Sequence, residues 1–176
     1  FRRVLFRSTM VPIAGSCSAY GQAVDGVGSA ARMAYAADLT VLSDGSYLFF
    51  SDYFKQYVRK LNILTTQVTT LYNAGSTNII TPFRVANSGN FFILTRNNYF
   101  QVVNTTTNAV IATIGSGAGT ATKDGVGTAA DFPSPSVFSS YIRAIELSAD
   151  DSVLYVAHDT MADASRAALR RIVLAT

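Results

Sequence analysis

The sequence is poor in the residues that build most catalytic and metal sites. Its 176 residues include no tryptophan, one cysteine (Cys17), one histidine (His158) and one glutamate (Glu146). A single cysteine excludes an internal disulfide and a multi-cysteine zinc site, and a single histidine excludes a three-histidine metal site. The longest apolar runs, such as those at 47–50 and 91–94, are far too short to span a bilayer.

Charge is also scarce. Charged residues make up 14% of the chain, against roughly 25% in an average domain. The apolar fraction of 49% is still enough to bury a core, so a folded chain is expected rather than a disordered one. Low charge with many Ser, Thr, Asn and Gly residues suits a protein built of β-strands and turns.

The first eight residues, FRRVLFRS, differ from the rest of the chain. They hold three arginines and resemble a translated sequencing adapter, so residues 1–8 are interpreted as a non-native addition and left out of the fold argument. Without them the formal charge of +3 falls to zero, with 11 basic against 11 acidic residues. The sequence pI of 9.1 is therefore no sign of nucleic-acid binding.

What the chain does contain is a repeat. The phrase DGVGSAARM at 25–33 returns as DGVGTAADF at 124–132. Three longer stretches, 39–75, 83–117 and 145–176, each begin with a short apolar run and then a turn: SDG, NSG or ADD. Each continues with an aromatic or β-branched strand, a polar loop and a further strand, and the first two add a fourth strand. Four short strands in about 40–45 residues is the size of a propeller blade.

Strand patterns add detail to this prediction. YLFFS and FFILT are apolar on both faces, as expected for strands packed between neighbouring blades. YVRKL at 57–61 mixes basic and apolar residues, which suits a strand nearer the outside of a blade. The Ala-rich stretch 161–171 is the one place where a helix competes with a strand. Residues 11–14 are expected to be the last strand of a preceding blade.

Together these motifs resemble NHL repeats. The matching segments are DGVGTAADF with Pro135, SDGSYLFFSD, YVRKL and LRRI, and the resemblance covers about residues 11–176. Departures are GSTNIITP at 75–82 where a DGVG loop would stand, Arg96 in the place of Asp52, and an insertion at 136–143. The resemblance implies an all-β fold, a partial β-propeller of about three four-stranded blades, related to the six-bladed NHL and gluconolactonase-like propellers.

The expected layout follows from this resemblance. It comprises a blade junction at 11–38, blades at 39–75 and 76–117, a second junction at 118–143 and an incomplete blade at 144–176. Because closed propellers have typically 4–8 blades, the chain is expected to be a fragment of a larger ring or to assemble with copies of itself. Its open edges are an aggregation hazard, so residues 9–176 alone are expected to be oligomeric or poorly soluble.

The repeated phrase is interpreted as a structural blade-junction motif. Its glycines permit a positive φ, and its aspartates can accept hydrogen bonds from backbone N–H groups two residues on. Met33 and Phe132 are expected to enter the seams between blades. The motif residues are Asp25, Gly26, Gly28, Asp124, Gly125 and Gly127.

No catalytic or cofactor-binding residue is predicted. The resemblance to gluconolactonase-like propellers makes Glu146 a weak candidate for a calcium or zinc ligand, with Asn87 and Asp150 near the corresponding strand ends. His158 is expected to be a solvated loop histidine. The glycine-rich run at 115–120 lacks the Lys-Ser/Thr of a phosphate-binding loop.

For function, the resemblance implies a non-catalytic scaffold whose loops on one face bind a protein, peptide or glycan. Two alternatives stay open: a metal-dependent lactonase or strictosidine-synthase-like propeller enzyme, and an RNA-binding NHL domain, against which the neutral charge counts. No cofactor is predicted, and calcium is the one left open by the lactonase alternative. Self-association is expected from the incomplete ring, and no membrane contact is expected within this segment. The compartment stays open, with an extracellular or cell-surface location favoured.

Overall fold

A computed structural model describes residues 10–16, 21–75, 82–96, 98–117, 123–132, 142–159 and 167–174. Within these ranges the regular structure is β-strand with three short 3₁₀ turns, and no helix is long and apolar enough to cross a membrane. The strands are β1 (Gly26–Val27), β2 (Ala36–Val41), β3 (Tyr47–Asp52), β4 (Tyr57–Asn62), β5 (Gln67–Asn73), β6 (Phe83–Val85), β7 (Phe91–Arg96), β8 (Tyr99–Asn104), β9 (Val110–Ile114), β10 (Ile142–Leu147), β11 (Val153–Asp159) and β12 (Ala167–Val173).

The strands form three antiparallel sheets. Blade 1 consists of β2 to β5, with the two-residue strand β1 added beyond β5. Blade 2 consists of β6 to β9, and blade 3 of β10 to β12. In each blade, consecutive strands of the chain are neighbours in the sheet, and the first strands of adjacent blades lie side by side. The chain is therefore an all-β partial β-propeller, and the predicted fold class is confirmed.

The three predicted turns have the same geometry. In each, the last residue of the SDG, NSG or ADD tripeptide donates its backbone N–H to the carbonyl three residues earlier, at 2.9–3.0 Å. These residues are Gly45, Gly89 and Asp151, and all three have positive φ, at 72°, 74° and 61°. Glycine reaches this region without a steric cost, and aspartate is among the few other residues that tolerate it.

The apolar core lies in the seams between blades. Phe49 and Val58 of blade 1 pack against Phe92 and neighbouring residues of blade 2. The seam between blades 2 and 3 contains Phe132, which is 1% exposed, so its predicted place between blades is confirmed. Met33 is only partly buried and packs on the face of blade 1 that no other described blade covers.

Some expectations are corrected. Residues 11–14 form no strand in the structure, because no neighbouring strand among the described residues supplies backbone partners for them. The residues 167–173 are strand β12, so helix is excluded there despite the alanines, because pairing with β11 outweighs helix propensity. The adapter-like residues 1–8, most of GSTNIITP, most of the insertion at 136–143 and residues 160–166 lie outside the described residues.

Candidate functional site

A buried arginine closes the first DGVG loop. The Arg59 side chain on β4 is 0% exposed and donates to the carbonyl oxygens of Val24, at 2.8 Å, and Arg32. It also donates to Oδ1 of Asp25 at 2.9 Å, and its Nη1 lies 3.5 Å from Oδ2 of Asp52. Guanidinium suits this place because its planar fork can serve several acceptors at once. One side chain therefore ties both ends of the loop to the blade.

Asp52 holds the opposite side of this arginine. Its carboxylate is fully buried and accepts hydrogen bonds from the backbone N–H groups of Ala34, at 2.9 Å, and Tyr35, at 3.0 Å. A buried charge is tolerated only when it is paired and hydrogen-bonded, and both conditions hold here. The strand leaving the loop is thereby fixed at the start of β2.

Asp25 bonds to a distant strand rather than to its own turn. Its carboxylate accepts hydrogen bonds from the backbone N–H and the hydroxyl of Thr70 on β5, both at 2.9 Å. The hydrogen bond that the sequence predicted, from the backbone N–H two residues after Asp25, is therefore replaced by bonds to a strand of the sheet. Burial acts to raise the pKa of Asp25, but the hydrogen bonds from Thr70 and Arg59 outweigh it and lower that pKa below its ordinary value.

The second DGVG loop repeats the same arrangement. Arg170 on β12 donates to the carbonyl oxygens of Lys123, at 2.6 Å, and Asp131, at 2.8 Å, and to Oδ1 of Asp124 at 2.5 Å. Its guanidinium lies 4.6 Å from the ring centre of Phe132. This copy is more open than the first, since Asp124 is 95% exposed. We call each such arginine with its loop a junction clamp.

The glycines of the motif have two separate roles. Gly28 and Gly127 have positive φ, 53° and 55°, at the start of a 3₁₀ turn. Gly26 and Gly125 instead lie against backbone: a Cβ there would come within 3.0 Å and 2.6 Å of the following Ala30 and Ala129 carbonyl carbons. A side chain at either place would push the turn apart.

Among the residues that the structure describes, blade 2 shows no junction clamp. Gln101 occupies the strand position of Arg59, and Arg96 occupies that of Asp52. Arg96 is 4% exposed and donates to Oε1 of Gln101, at 2.8 Å, and to the carbonyl of Ala74, at 3.1 Å. The sequence departure at Arg96 is therefore matched by a departure at its partner.

The three weak metal candidates do not meet in one site. Glu146 on β10 accepts from Nε of Arg84 at 3.0 Å, and Nη1 of that arginine lies 3.3 Å from Oδ2 of Asp38. Asp150 is in the turn before β11, where the hydroxyls of Ser148 and Ser152 bond to it and lower its pKa to about 2. Among the described residues no group of three or more His, Cys, Asp or Glu side chains could hold a metal ion.

Asn87 binds across a seam instead. Its backbone N–H and that of Ser88 donate to the Asp151 carboxylate at 2.7 Å and 2.9 Å, and its side-chain amide donates to the same group at 3.0 Å. Asp151 therefore takes up a glycine-like φ while joining the turn of blade 3 to that of blade 2.

His158 corrects the sequence analysis. It lies within β11, is 1% exposed and contacts the Phe132 ring edge to face at 5.9 Å. It is neither solvated nor in a loop. Its strand position corresponds to Asp52 in blade 1 and Arg96 in blade 2. In all three blades a buried polar residue occupies this strand end, which is the signal that a loop assignment for His158 overlooks.

An exposed aromatic cluster among the described residues was not predicted. Tyr35, Tyr53 and Phe54, which we call the aromatic patch, lie where the first junction meets the loop between β3 and β4. Ring centres are 5.1–5.9 Å apart, and the Tyr53 N–H donates to the Tyr35 carbonyl at 2.8 Å. Tyr35 and Phe54 are 53% and 55% exposed. The sequence signal for this patch was the pair of adjacent aromatic residues in DYFKQ, a segment that was interpreted only as a polar loop.

A concavity adjoins the aromatic patch. Its volume is about 370 Å³. It is lined by Tyr53, Phe54, Lys55, Gln56, Tyr57, Asn73 and Gly75. Aromatic rings offer large contact area at a low entropy cost, and one cationic group and two side-chain amides lie beside them. Chemically the arrangement suits recognition rather than proton transfer.

Comparison with solved structures shows the same fold in larger proteins. The chain is similar to a hydrazine synthase from Kuenenia stuttgartiensis, with a TM-score of 0.55 and 14% identity over 84% of this chain and 35% of that one. It is also similar to a protein from Bacteroides uniformis named as a 6-phosphogluconolactonase, with a TM-score of 0.51 and 13% identity over 80% of this chain and 37% of that one.

At these identities the likeness shows the fold alone. The chain spans little more than a third of the length of either protein. No protein-family model matches the chain, and no curated protein matches it significantly. The comparisons therefore agree with the propeller architecture seen in the three sheets.

Proposed function

We propose that the chain is part of an NHL-type β-propeller that serves as a non-catalytic binding scaffold, with the aromatic patch as its ligand surface. The NHL assignment is supported by the two DGVG loops and by the arginine of the third strand that closes each of them. Each DGVG loop is bound by an arginine at the same strand position, and this favours inheritance of loop and arginine as one repeat unit over a chance recurrence of the four-residue DGVG motif.

The exposed aromatic patch is the observation that carries the binding role. Surface Tyr and Phe side chains are costly to leave in water, and clusters of them mark interaction sites. Here the backbone hydrogen bond from Tyr53 to Tyr35 joins the two segments that carry the rings, and each ring contacts the other two. A pre-organised surface loses little conformational entropy on binding.

The ligand we propose is a protein or peptide segment. The concavity next to Phe54 includes the exposed Lys55 among its lining residues, and this cation suits a partner with an acidic or carbonyl-rich stretch. A glycan, which also stacks on aromatic rings, is the competing ligand that the experiment must separate.

The geometry favours neither alternative function. A metal-dependent lactonase needs free carboxylates that converge, yet the Arg84 guanidinium lies between Asp38 and Glu146 and already supplies the positive charge there. An RNA-binding surface needs clustered exposed cations, and Arg59 and Arg170 do not contribute to one, because both are turned inward to backbone carbonyls.

The test is selection of ligands on the immobilised chain. A random peptide library displayed on phage and a glycan array are screened in parallel. Selected peptides are expected to lose at least tenfold in affinity for a Phe54→Ala variant. A Leu64→Ala variant is the matched control, because Leu64 is an apolar residue of the same blade, 91% exposed, in the turn between β4 and β5.

Other results would contradict the proposal. Peptides that bind both variants equally would remove the aromatic patch as the ligand surface, and binding to the glycan array alone would replace peptide by carbohydrate. Calcium binding in a calorimetric titration, lost in a Glu146→Gln variant, would instead favour the lactonase.

A further inference from the structure

One hairpin turn of blade 2 carries the acceptor pattern for N-linked glycosylation. Asn104, Thr105 and Thr106 match Asn-x-Thr, in which x is any residue except proline. No other asparagine in the sequence is followed two positions later by serine or threonine. The turn joins β8 to β9, and residues 106–110 are all exposed. The pattern therefore lies at the surface, in a hairpin whose two strands both belong to a four-stranded blade.

The side-chain amide of Asn104 is oriented by this turn. Its Oδ1 accepts hydrogen bonds from the backbone N–H groups of Thr106 and Thr107, both at 2.9 Å, and from the Thr107 hydroxyl at 3.2 Å. Two backbone donors fix which atom of the amide is the oxygen. Nδ2, on the other side of the same carbon, makes no hydrogen bond within the described part of the chain. The atom that carries an N-linked glycan is therefore not engaged by the turn.

Blade 1 shows which part of the pattern the turn itself requires. Asn62 ends β4 as Asn104 ends β8, and its Oδ1 likewise accepts a hydrogen bond within its turn, from the backbone N–H of Thr65 at 2.9 Å. In both turns the residue four positions after the asparagine has a φ of 57°. The two turns are thus equivalent, and the asparagine at their first position has a structural role in both.

The threonine at the third position of the turn has no such structural role. Blade 1 has Leu64 at that position, 91% exposed, so the turn does not need a hydroxyl there. The two flanking threonine hydroxyls donate to the Gly89 carbonyl, at 2.6 Å, and to the Asn104 amide, at 3.2 Å. The Thr106 hydroxyl makes no hydrogen bond among the described residues. It is therefore free to be recognised, and it is the hydroxyl that the acceptor pattern requires.

Asn104 lies at the opposite end of its blade from the side that carries the aromatic patch. Tyr53 and Phe54 of that patch come just before β4 begins, at Tyr57, whereas Asn104 ends the equivalent strand of blade 2. A strand of six residues extends about 17 Å from its first Cα to its last. Adjacent blades have the same strand order and lie with their first strands side by side, so corresponding strand ends share one side of the arc. A glycan on Asn104 would therefore leave the aromatic patch uncovered.

We propose that Asn104 is an acceptor for N-linked glycosylation, with the Thr106 hydroxyl as the group that the transferase recognises. The donor is an oligosaccharide joined through its anomeric carbon to a lipid pyrophosphate. Nδ2 of Asn104 attacks that carbon, and the new C–N bond replaces the C–O bond to the pyrophosphate, which leaves with the bonding electrons. The amide gives up one proton to a base of the transferase, so nothing is oxidised or reduced. The proposal is independent of the binding role given above.

The experiment translates the full chain, behind a secretion leader, in the presence of microsomes from the endoplasmic reticulum. Chains inside the vesicles are identified by resistance to added protease that is lost in detergent. These chains are expected to carry one glycan, which an amidase removes while converting Asn104 to aspartate, and peptide mass spectrometry locates the change. Thr106→Ala should abolish the glycan, although it keeps Asn104 and the backbone donors of the turn. Thr106→Ser should retain the glycan.

Leu64→Thr is the matched control, because it completes the same pattern at Asn62 in the equivalent turn of blade 1. It should raise the number of glycans from one to two, and Leu64→Thr together with Thr106→Ala should carry one, on Asn62. A protected chain of the original sequence without a glycan would overturn the proposal. So would a glycan that persists in Thr106→Ala, or a Leu64→Thr chain that is glycosylated on Asn62 alone.

Discussion

The clamp formed by Arg59 is expected to be a main source of stability in blade 1. An Arg59→Met substitution keeps most of the apolar stem but removes the guanidinium, whose Cζ lies 5.8 Å from the centre of the Phe50 ring. It leaves the buried carboxylate of Asp52 without its counter-charge, although two backbone N–H groups still bond to it. It also takes a donor from two backbone carbonyls at the ends of the DGVG loop.

The cost follows from burial. Breaking a buried ion pair by removing one partner typically costs about 3–5 kcal/mol, so we expect a loss of about 4 kcal/mol in the free energy of unfolding. Arg170→Met is the matched control. Its partner Asp124 is 95% exposed and stays hydrated when the arginine is removed. The expected loss there is about 1–2 kcal/mol, chiefly from the carbonyl hydrogen bonds.

Urea denaturation at a fixed protein concentration measures both. With a slope of about 2 kcal/mol/M, the midpoint should fall by about 2 M for Arg59→Met and by about 0.5–1 M for Arg170→Met. Equal losses in the two variants would refute the reasoning, because the argument depends on the difference in burial. A change in slope would mean that the midpoints of the two variants could not be compared as free energies. In that case Arg59→Lys, which keeps the positive charge but not the planar guanidinium, tests whether the guanidinium itself is required.

Three further predictions concern single side chains. Phe132→Ala should cost about 3–5 kcal/mol by urea denaturation, because the ring is 1% exposed in a seam; a loss below 1 kcal/mol would contradict its place there. Asp151→Gly relieves a strained φ worth about 1 kcal/mol but loses charge-assisted bonds worth more, so stability should fall by about 1–2 kcal/mol; a gain would show that the bonds across the seam contribute little. The pKa of Asp150 is lowered to about 2, so the original protein should have a higher Tm than the Asp150→Asn variant. This difference in Tm should be full above about pH 4 and disappear as the pH falls toward 2. A difference that does not depend on pH would exclude ionisation of Asp150 as its cause.

Strands and turns were predictable because their signals are local. The run YLFFS differs from strand β3, Tyr47–Asp52, by a single residue. The three turns were marked by Asp, Asn, Ser and Gly residues, which adopt the required backbone angles at low cost. Phe132 was also placed correctly, since an aromatic residue at the end of a small-residue turn has few ways to avoid a seam. Repetition helped further, because each unit supported the reading of the next.

Burial of polar groups was not predictable in the same way. Arg59 looked like part of a mixed outer strand, yet it is fully buried, because its acceptors Val24, Asp25 and Arg32 are 27–35 residues earlier in the chain. His158 was misplaced for a related reason. Whether a polar side chain is buried depends on partners that meet it only after folding, and no local pattern reports them.

Junction clamps occur in blades 1 and 3, and this explains why the DGVG motif occurs twice in the sequence and not before all three blades. The loop before blade 2 has a different sequence, and in that blade the clamp arginine is replaced by Gln101 and the opposing aspartate by Arg96. An arginine at position 101 would have no carbonyls of a DGVG loop to bind and would lie against the buried cation of Arg96. Loop and clamp therefore must be present together or absent together. The repeated unit is thus a contact between two segments about 34–46 residues apart rather than a nine-residue phrase.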